Sequence, residues 1–194
     1  KDIDIVLTPN CMDVPIFIDA DISKIKKMAF FIDYYSYAAR YRVEHLREQL
    51  QWNGIASDYY MLHEATGVDL SVYQAIVVYR CSDYEQIENL VNRAKECGVA
   101  TYYDVDDYVF EYDEISQLDF MKDPEYRDFK MKADTMKKCL SLFDSIIVST
   151  EQLKKGVLQS FPQKRVVVNR NGASMEMRLW SEKALQNKKL AEDK

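Results

Sequence analysis

The stretch "YQAIVVYR", Tyr73 to Arg80, decides the architecture. Its Ile76, Val77 and Val78 run without a polar break, as a strand does in a parallel sheet covered on both faces. Upstream, "KMAFFID" (Lys27 to Asp33) reads as a second buried strand. The helix after it begins near Ser36 and sets Ala39, Val43, Leu46 and Leu50 on one face, with Arg40, Glu44, Arg47 and Gln51 opposite. Asn53-Gly54 closes it, and "IASDYYM" makes a mixed, outer strand. Downstream, Ser82 and Glu85 have capping-box spacing ahead of an apolar stripe of Ile87, Leu90, Val91 and Ala94. "VATYY" is the fourth strand, and a loop then runs to Asp123-Pro124, an N-cap and first-turn pair for a helix carrying Phe129, Ala133, Met136, Leu140 and Phe143. "SIIVS", a helix with Leu153, Val157 and Leu158, and "RVVVN" complete the series. The alternation predicts an α/β, Rossmann-like, three-layer domain over residues 27–173, its mostly parallel sheet flanked by helices on both faces. Residues 1–26 read as an N-terminal extension or an extra strand ("IDIVLT"). Residues 174–194 read as a C-terminal helix, with Met177, Trp180 and Ala184 on one side, leading toward a further domain.

The 194 residues carry a formal net charge of −6, which argues against a surface that tracks nucleic-acid phosphates. No apolar run reaches membrane-span length, and "KDIDIVLTPN" lacks the layout of a secretory signal. The first residue is Lys, so the chain is expected to be a piece of a longer protein. Cys11, Cys81, Cys97 and Cys139 are widely spaced, with Cys97 and Cys139 on apolar helix faces as buried thiols. That usage, with only His45 and His63 on helix and loop surfaces, predicts no zinc site and a reducing, cytoplasmic setting. Five glycines build neither a G-x-G-x-x-G nor a Walker loop.

In an open parallel sheet, ligands bind beyond the carboxyl ends of the strands. That edge here collects Tyr35, Arg80, Asp104, Asp106, Asp107, Ser149, Thr150, Glu151 and Asn171, with Arg40 and Arg42 on the first helix. Carboxylates clustered at a strand end, as in "ATYYDVDDYVF", are solvated, held by backbone N–H groups, bound to a cation or kept for chemistry. Ser149 or Thr150 also serves as an N-cap, Arg40 as a partner of Glu44, and Arg42 as a buried pair or a ligand contact. "YYDVDDYV" and "SIIVST" resemble the first two motifs of haloacid-dehalogenase-like phosphatases, which would make Asp104 the nucleophile and Asp106 the general acid/base, with magnesium nearby. "DVD" also matches the Asp-x-Asp of metal-dependent nucleotide-sugar enzymes. A non-catalytic binding module is a further alternative; its Trp180 helix would pack home on its own sheet.

Taken together, "ARYRVEHLREQLQWNGI", "AIVVYRC", "AKECGVATYYDVDDYVFEYD", "FDSIIVSTEQLKKGV" and "VVVNRNGASMEMRLWSEKAL" resemble, in order, the N-terminal half of a GT-B glycosyltransferase of the group-1, family-4-like kind. The resemblance implies an acceptor-side lobe facing a nucleotide-sugar-binding C-terminal domain across a cleft. It further implies sugar transfer to a glycan or lipid-linked acceptor in polysaccharide synthesis, with no cofactor or bound metal beyond the nucleotide-sugar co-substrate. Peripheral membrane association of the full-length enzyme is compatible with it. Where relatives carry histidine at the end of a central strand, this chain has Asp104. That carboxylate, flanked by Asp106 and Asp107, would orient or deprotonate the acceptor hydroxyl, with Arg40, Arg42 and Arg80 offsetting charge or binding phosphate. On this expectation Asp104→Asn removes transfer and leaves folding intact.

Overall fold

The computed structural model describes residues 25–123, 126 and 128–192. Six strands form one sheet: β1 (Lys27–Ile32), β2 (Ala56–Met61), β3 (Ala75–Tyr79), β4 (Ala100–Val105), β5 (Ser145–Val148) and β6 (Arg165–Val168). Every neighbouring pair is parallel, in the order β2-β1-β3-β4-β5-β6. The expected Rossmann-like α/β/α architecture is therefore present, with β3 buried along its whole length and the mixed β2 at an edge.

Alternation of side chains along each strand divides the core in two. Phe31, Ile76, Val78, Tyr103, Ile146 and Val148 face one way. They meet α3 (Tyr84–Glu96), α5 (Phe129–Ser141) and α6 (Glu151–Ser160) through Leu90, Leu140 and Val157. Phe30, Ile32, Val77, Tyr79 and Ile147 face the other way, against α1 (Tyr37–Ala39), α2 (His45–Trp52) and the turn between them, through Ala39, Leu50 and Val43. Each fully buried aliphatic or aromatic side chain in these two layers contributes roughly 1.5–3 kcal/mol of transfer free energy.

Local chemistry sets where the helices begin and end. Ser36, Asp83 and Thr150 each accept an N–H three residues on, from Ala39, Gln86 and Leu153, at 3.1 Å. The cap of α3 is thus Asp83 and not Ser82, because Asp83 also holds the Gln86 side chain at 2.7 Å and fixes its own orientation. Gly54 and Gly98, at φ +72° and +68°, turn the chain out of α2 and α3 in a conformation that suits glycine. The stretch expected to be a loop before α5 contains α4 (Tyr112–Ile115) and a 3-10 turn (Asp119–Lys122), and α5 starts at Phe129. Pro124 of the expected start lies outside the described residues, as do "IDIVLT" and Cys11. Cys139 is buried, whereas Cys97, at the end of α3 where the apolar stripe has already turned away, is exposed.

Two features depart from a simple helix reading. Between α1 and α2 the chain makes a π-helical turn (Arg40–Glu44), a widened turn of the kind that recurs at functional sites. Its register brings Arg42 and His45 inward with Val43. After β6 the segment 169–174 returns across α2 to start α7 (Met175–Glu192). There Ser174 Oγ accepts the Met177 N–H and the Glu48 carboxylate accepts the Met175 N–H. Beyond that base α7 stands away from the sheet, with Trp180 71 % exposed.

Candidate functional site

Strand order reverses across β1: β2 lies on one side of it and β3 on the other. The crevice outside the carboxyl ends of β1 and β3 is the topological switch point, where open α/β sheets bind ligands. Pairing places Ile32, Tyr79 and Asp104 level, so the next residues, Asp33 and Arg80, stand side by side at the rim. A hollow of about 240 Å³ opens there, lined by Asp33, Ser36, Arg80 and Ser82 from the sheet edge and by Phe129 and Lys132 from α5. A wider groove of about 910 Å³ adjoins it over β4 and β5, with Asp106, Asp107 and Thr150 on its polar wall and Ile115, Leu118 and Leu153 on its apolar one. Val109 and Phe129 line both spaces.

Between them runs a bridge. Arg80 Nη1 donates to Asp106 Oδ1 at 3.3 Å and to Asp107 Oδ2 at 2.8 Å. The Tyr79 hydroxyl donates to both Asp106 oxygens, at 3.0 and 3.1 Å, and Ser149 Oγ donates to the Asp106 carbonyl at 2.9 Å. Burial and the neighbouring Asp106 push Tyr79 far up, so its phenol stays a proton donor. Arg80 holds φ at +49°, the one described non-glycine residue in the left-handed region, and its N–H donates to the Asp104 carbonyl at 3.0 Å. Strain of this kind persists where the surroundings over-determine it, and it clusters at ligand sites.

Asp104 itself is elsewhere. Its side chain is 1 % exposed and meets Arg42, itself 0 % exposed, through Nε at 3.0 Å and Nη2 at 2.9 and 2.8 Å. The remaining donor, Arg42 Nη1, reaches the Asn169 carbonyl and Asn171 Oδ1. Asp104 is therefore a structural partner under the floor of the site, with no surface to offer an acceptor hydroxyl or a phosphoryl group. The expectation that Asp104→Asn spares the fold is corrected for the same reason: it would leave a buried guanidinium short of charge. Burial pushes the Asp104 carboxyl up to about 6, while Arg42 pulls it down. An acid raised above its unfolded value of about 4 binds more protons when folded. The proton-linked part of this residue's contribution to stability is thus full below about pH 4 and is lost as pH climbs through about 6, above which its contribution is the ion pair with Arg42. Arg42→Met removes the downward pull, so the Asp104 carboxyl is expected to titrate higher still, a shift that carbon-13 NMR of that carboxyl reads directly.

The remaining expected site residues divide by place. Arg80, Asp106, Asp107 and Thr150 border the two adjoining spaces, whereas Ser149 is buried behind Asp106 and exposed Glu151 only opens α6. Thr150 also caps α6. Tyr35 and Arg40 line a third hollow of about 330 Å³ with His45, Glu48, Ser174 and Glu176 at the foot of α7. Arg40 pairs with Glu176 at 3.3 Å and not with Glu44, which pairs with Arg47, because the π-helical turn shifts the helical register between Arg40 and Glu44. His45 is buried, not on the surface, with Nδ1 2.8 Å from the Gly172 carbonyl. Asn171 serves Arg42. Arg80, the three aspartates and Thr150, expected around one hollow, are divided: Arg80 lines the smaller space, Asp106, Asp107 and Thr150 the larger, and Asp104 is buried.

Sequence reasoning placed Asp33 at the end of the first strand and read Ser82 as a cap without giving either a site role, and it passed over Lys132. Asp33 accepts the Ser82 N–H at 3.0 Å, and burial raises its carboxyl. The signal for Asp33 was its place one residue past a buried strand; Lys132 carried none, since it reaches the crevice from a distant helix. Among the described residues, no group of three His, Cys, Asp or Glu side chains is placed to share a metal ion, and no helix is long and apolar enough to cross a membrane.

Tyr108 lines the groove and packs against α6 at Gly156, where an added Cβ would fall 2.2 Å from ring atom Cε2. Gly156→Ala gains about 1 kcal/mol of helix propensity but forces the ring off its edge-to-face contact with Phe110. The expected net result is a loss of about 1 kcal/mol in urea denaturation, with altered Tyr108 ring resonances. No protein-family model matches the chain, and no curated protein matches it either.

Proposed function

We propose that this chain is the acceptor-side lobe of a two-lobed glycosyltransferase, the reading its motif resemblance implies. The observation that carries it is the meeting of Asp106, Asp107 and Thr150, all within the quoted motifs, along a groove of about 910 Å³ at the carboxyl edge of a parallel sheet. Asp107, with its side chain 61 % exposed, keeps Oδ1 without a hydrogen bond among the described residues while Oδ2 is held by Arg80. A carboxylate so oriented suits the acceptance of a proton from a sugar hydroxyl, and the role first expected of Asp104 passes to it. The exposed Trp180 on α7 also favours this reading over a self-contained binding module, whose terminal helix would pack home. A phosphatase reading needs Asp104 as an accessible nucleophile, and its burial disfavours that.

Donor recognition belongs to the second lobe under this proposal, so the 194-residue chain binds saccharide and transfers none alone. A glycan array probed with the purified chain tests it, and retention of specific glycans, lost in Asp107→Ala, is expected. An array without retained glycans would overturn the proposal, and magnesium-dependent hydrolysis of p-nitrophenyl phosphate by the chain would replace it with the phosphatase.

A further inference from the structure

Arg80 divides one nitrogen between two acids. Nη1 donates to Asp107 Oδ2 at 2.8 Å and reaches Asp106 Oδ1 only at 3.3 Å. Charge and burial alone would order these the other way. The Asp106 side chain is 10 % exposed against 61 % for Asp107, and a guanidinium is drawn more strongly to the carboxylate that water screens less. Unopposed, Asp106 would take Arg80 in the two-pronged pair that carboxylate and guanidinium prefer. Tyr79 stands in the way. It is the last residue of β3, it is buried, and its hydroxyl donates to both Asp106 oxygens, at 3.0 and 3.1 Å. The Arg80 side chain also donates a hydrogen bond to that hydroxyl. From the far side, Ser149 Oγ donates to the Asp106 carbonyl at 2.9 Å and ties its backbone to the end of β5. The Asp107 carbonyl accepts the Val109 N–H at 2.9 Å, so the backbone there is also held. What is left to set is the Asp107 side chain, and Arg80 is its described ion-pair partner.

We infer that Tyr79 is the positioning residue of Asp107: by occupying both oxygens of Asp106, its hydroxyl keeps Arg80 for Asp107 Oδ2 and so sets which Asp107 oxygen is spent. Tyr79 acts through Asp106 and Arg80 and makes no printed contact with Asp107 itself. Its meaning for catalysis rests on the transferase reading, in which Asp107 is the base; the relay of hydrogen bonds does not. Removing the hydroxyl frees Asp106 to close on Arg80 with both oxygens. Asp107 then loses its partner and turns among its rotamers.

Carbon-13 NMR of the 194-residue chain tests this through the Asp107 carboxyl shift and the couplings that report its side-chain torsion. In Tyr79→Phe, which keeps the ring, the couplings should move to rotamer-averaged values and the carboxyl shift should change. Adding Asp106→Asn removes the rival charge, so Tyr79→Phe/Asp106→Asn should return the Asp107 couplings to those of the unaltered chain. A hydroxyl that only supports the fold would show no such rescue. Asp106→Asn alone should leave Asp107 ordered, and it carries the test if Tyr79→Phe fails to fold. An ordered Asp107 in Tyr79→Phe, no rescue in the double variant, or a disordered Asp107 in Asp106→Asn would each overturn the inference. On the glycan array, Tyr79→Phe should weaken retention roughly fivefold, the worth of one ordinary hydrogen bond. Undiminished retention would also count against Tyr79. An array on which the unaltered chain retains nothing overturns the transferase reading alone, and the couplings still decide the role of Tyr79.

Discussion

In urea denaturation, Asp104→Ala is expected to lower stability by about 3–5 kcal/mol, the usual cost of removing one member of a buried ion pair. Domains have only about 5–15 kcal/mol in all, so the variant should stand near its unfolding threshold. The cause is local and chemical. Arg42 cannot shed its proton, is fully buried, and donates three of its hydrogen bonds to this carboxylate. Asp104→Asn keeps the shape and loses the charge, and should fall between. The double variant Arg42→Met/Asp104→Leu removes both charges together and should recover most of the loss, since apolar replacement of a whole buried pair is often neutral or better. Damage in the double variant equal to the sum of the singles would contradict the account. Because Arg42 Nη1 also holds segment 169–174, Arg42→Ala should speed amide exchange there and at the base of α7.

That pair also marks the limit of what the sequence can say. Strand and helix patterns were legible because apolar periodicity reports burial, and β3 announced itself through three adjacent branched residues. The carboxyl edge was legible for the same reason: once the strands are fixed, so are the residues that follow them. The partners were not. Arg42 sits 62 residues from Asp104, and only the π-helical turn, which no spacing rule foretells, turns it inward. A strand covered on both faces buries every residue within it whatever its polarity, so Asp104, inside β4, goes to the core, whereas Asp106 and Asp107, past its end, reach the rim. The place where β4 ends contained that division, but the charge of the aspartates masked it. The edge is divided between two adjoining spaces because the Arg80 bridge stands between them, and that bridge depends on long-range contacts.

The separation of those aspartates sets up the second large effect. On the proposed transferase reading, Asp107→Ala in a two-lobed enzyme is expected to reduce kcat/KM for sugar transfer by about 10²–10⁴-fold, the range that a positioned general base supplies. Its side chain is 61 % exposed and its sole described ion pair is the rim contact with Arg80, so stability should change by no more than about 0.5 kcal/mol. Asp104→Asn should show the opposite balance, with a lowered unfolding midpoint and an activity that tracks the folded fraction. The two variants thus separate chemistry from architecture within one four-residue stretch. If both lose activity only as far as they lose fold, neither carboxylate meets the acceptor, and the groove beside Asp107 is a binding surface without a base. If Asp107→Ala alone loses turnover at unchanged stability, the proton leaves through Oδ1, the oxygen that Arg80 does not hold.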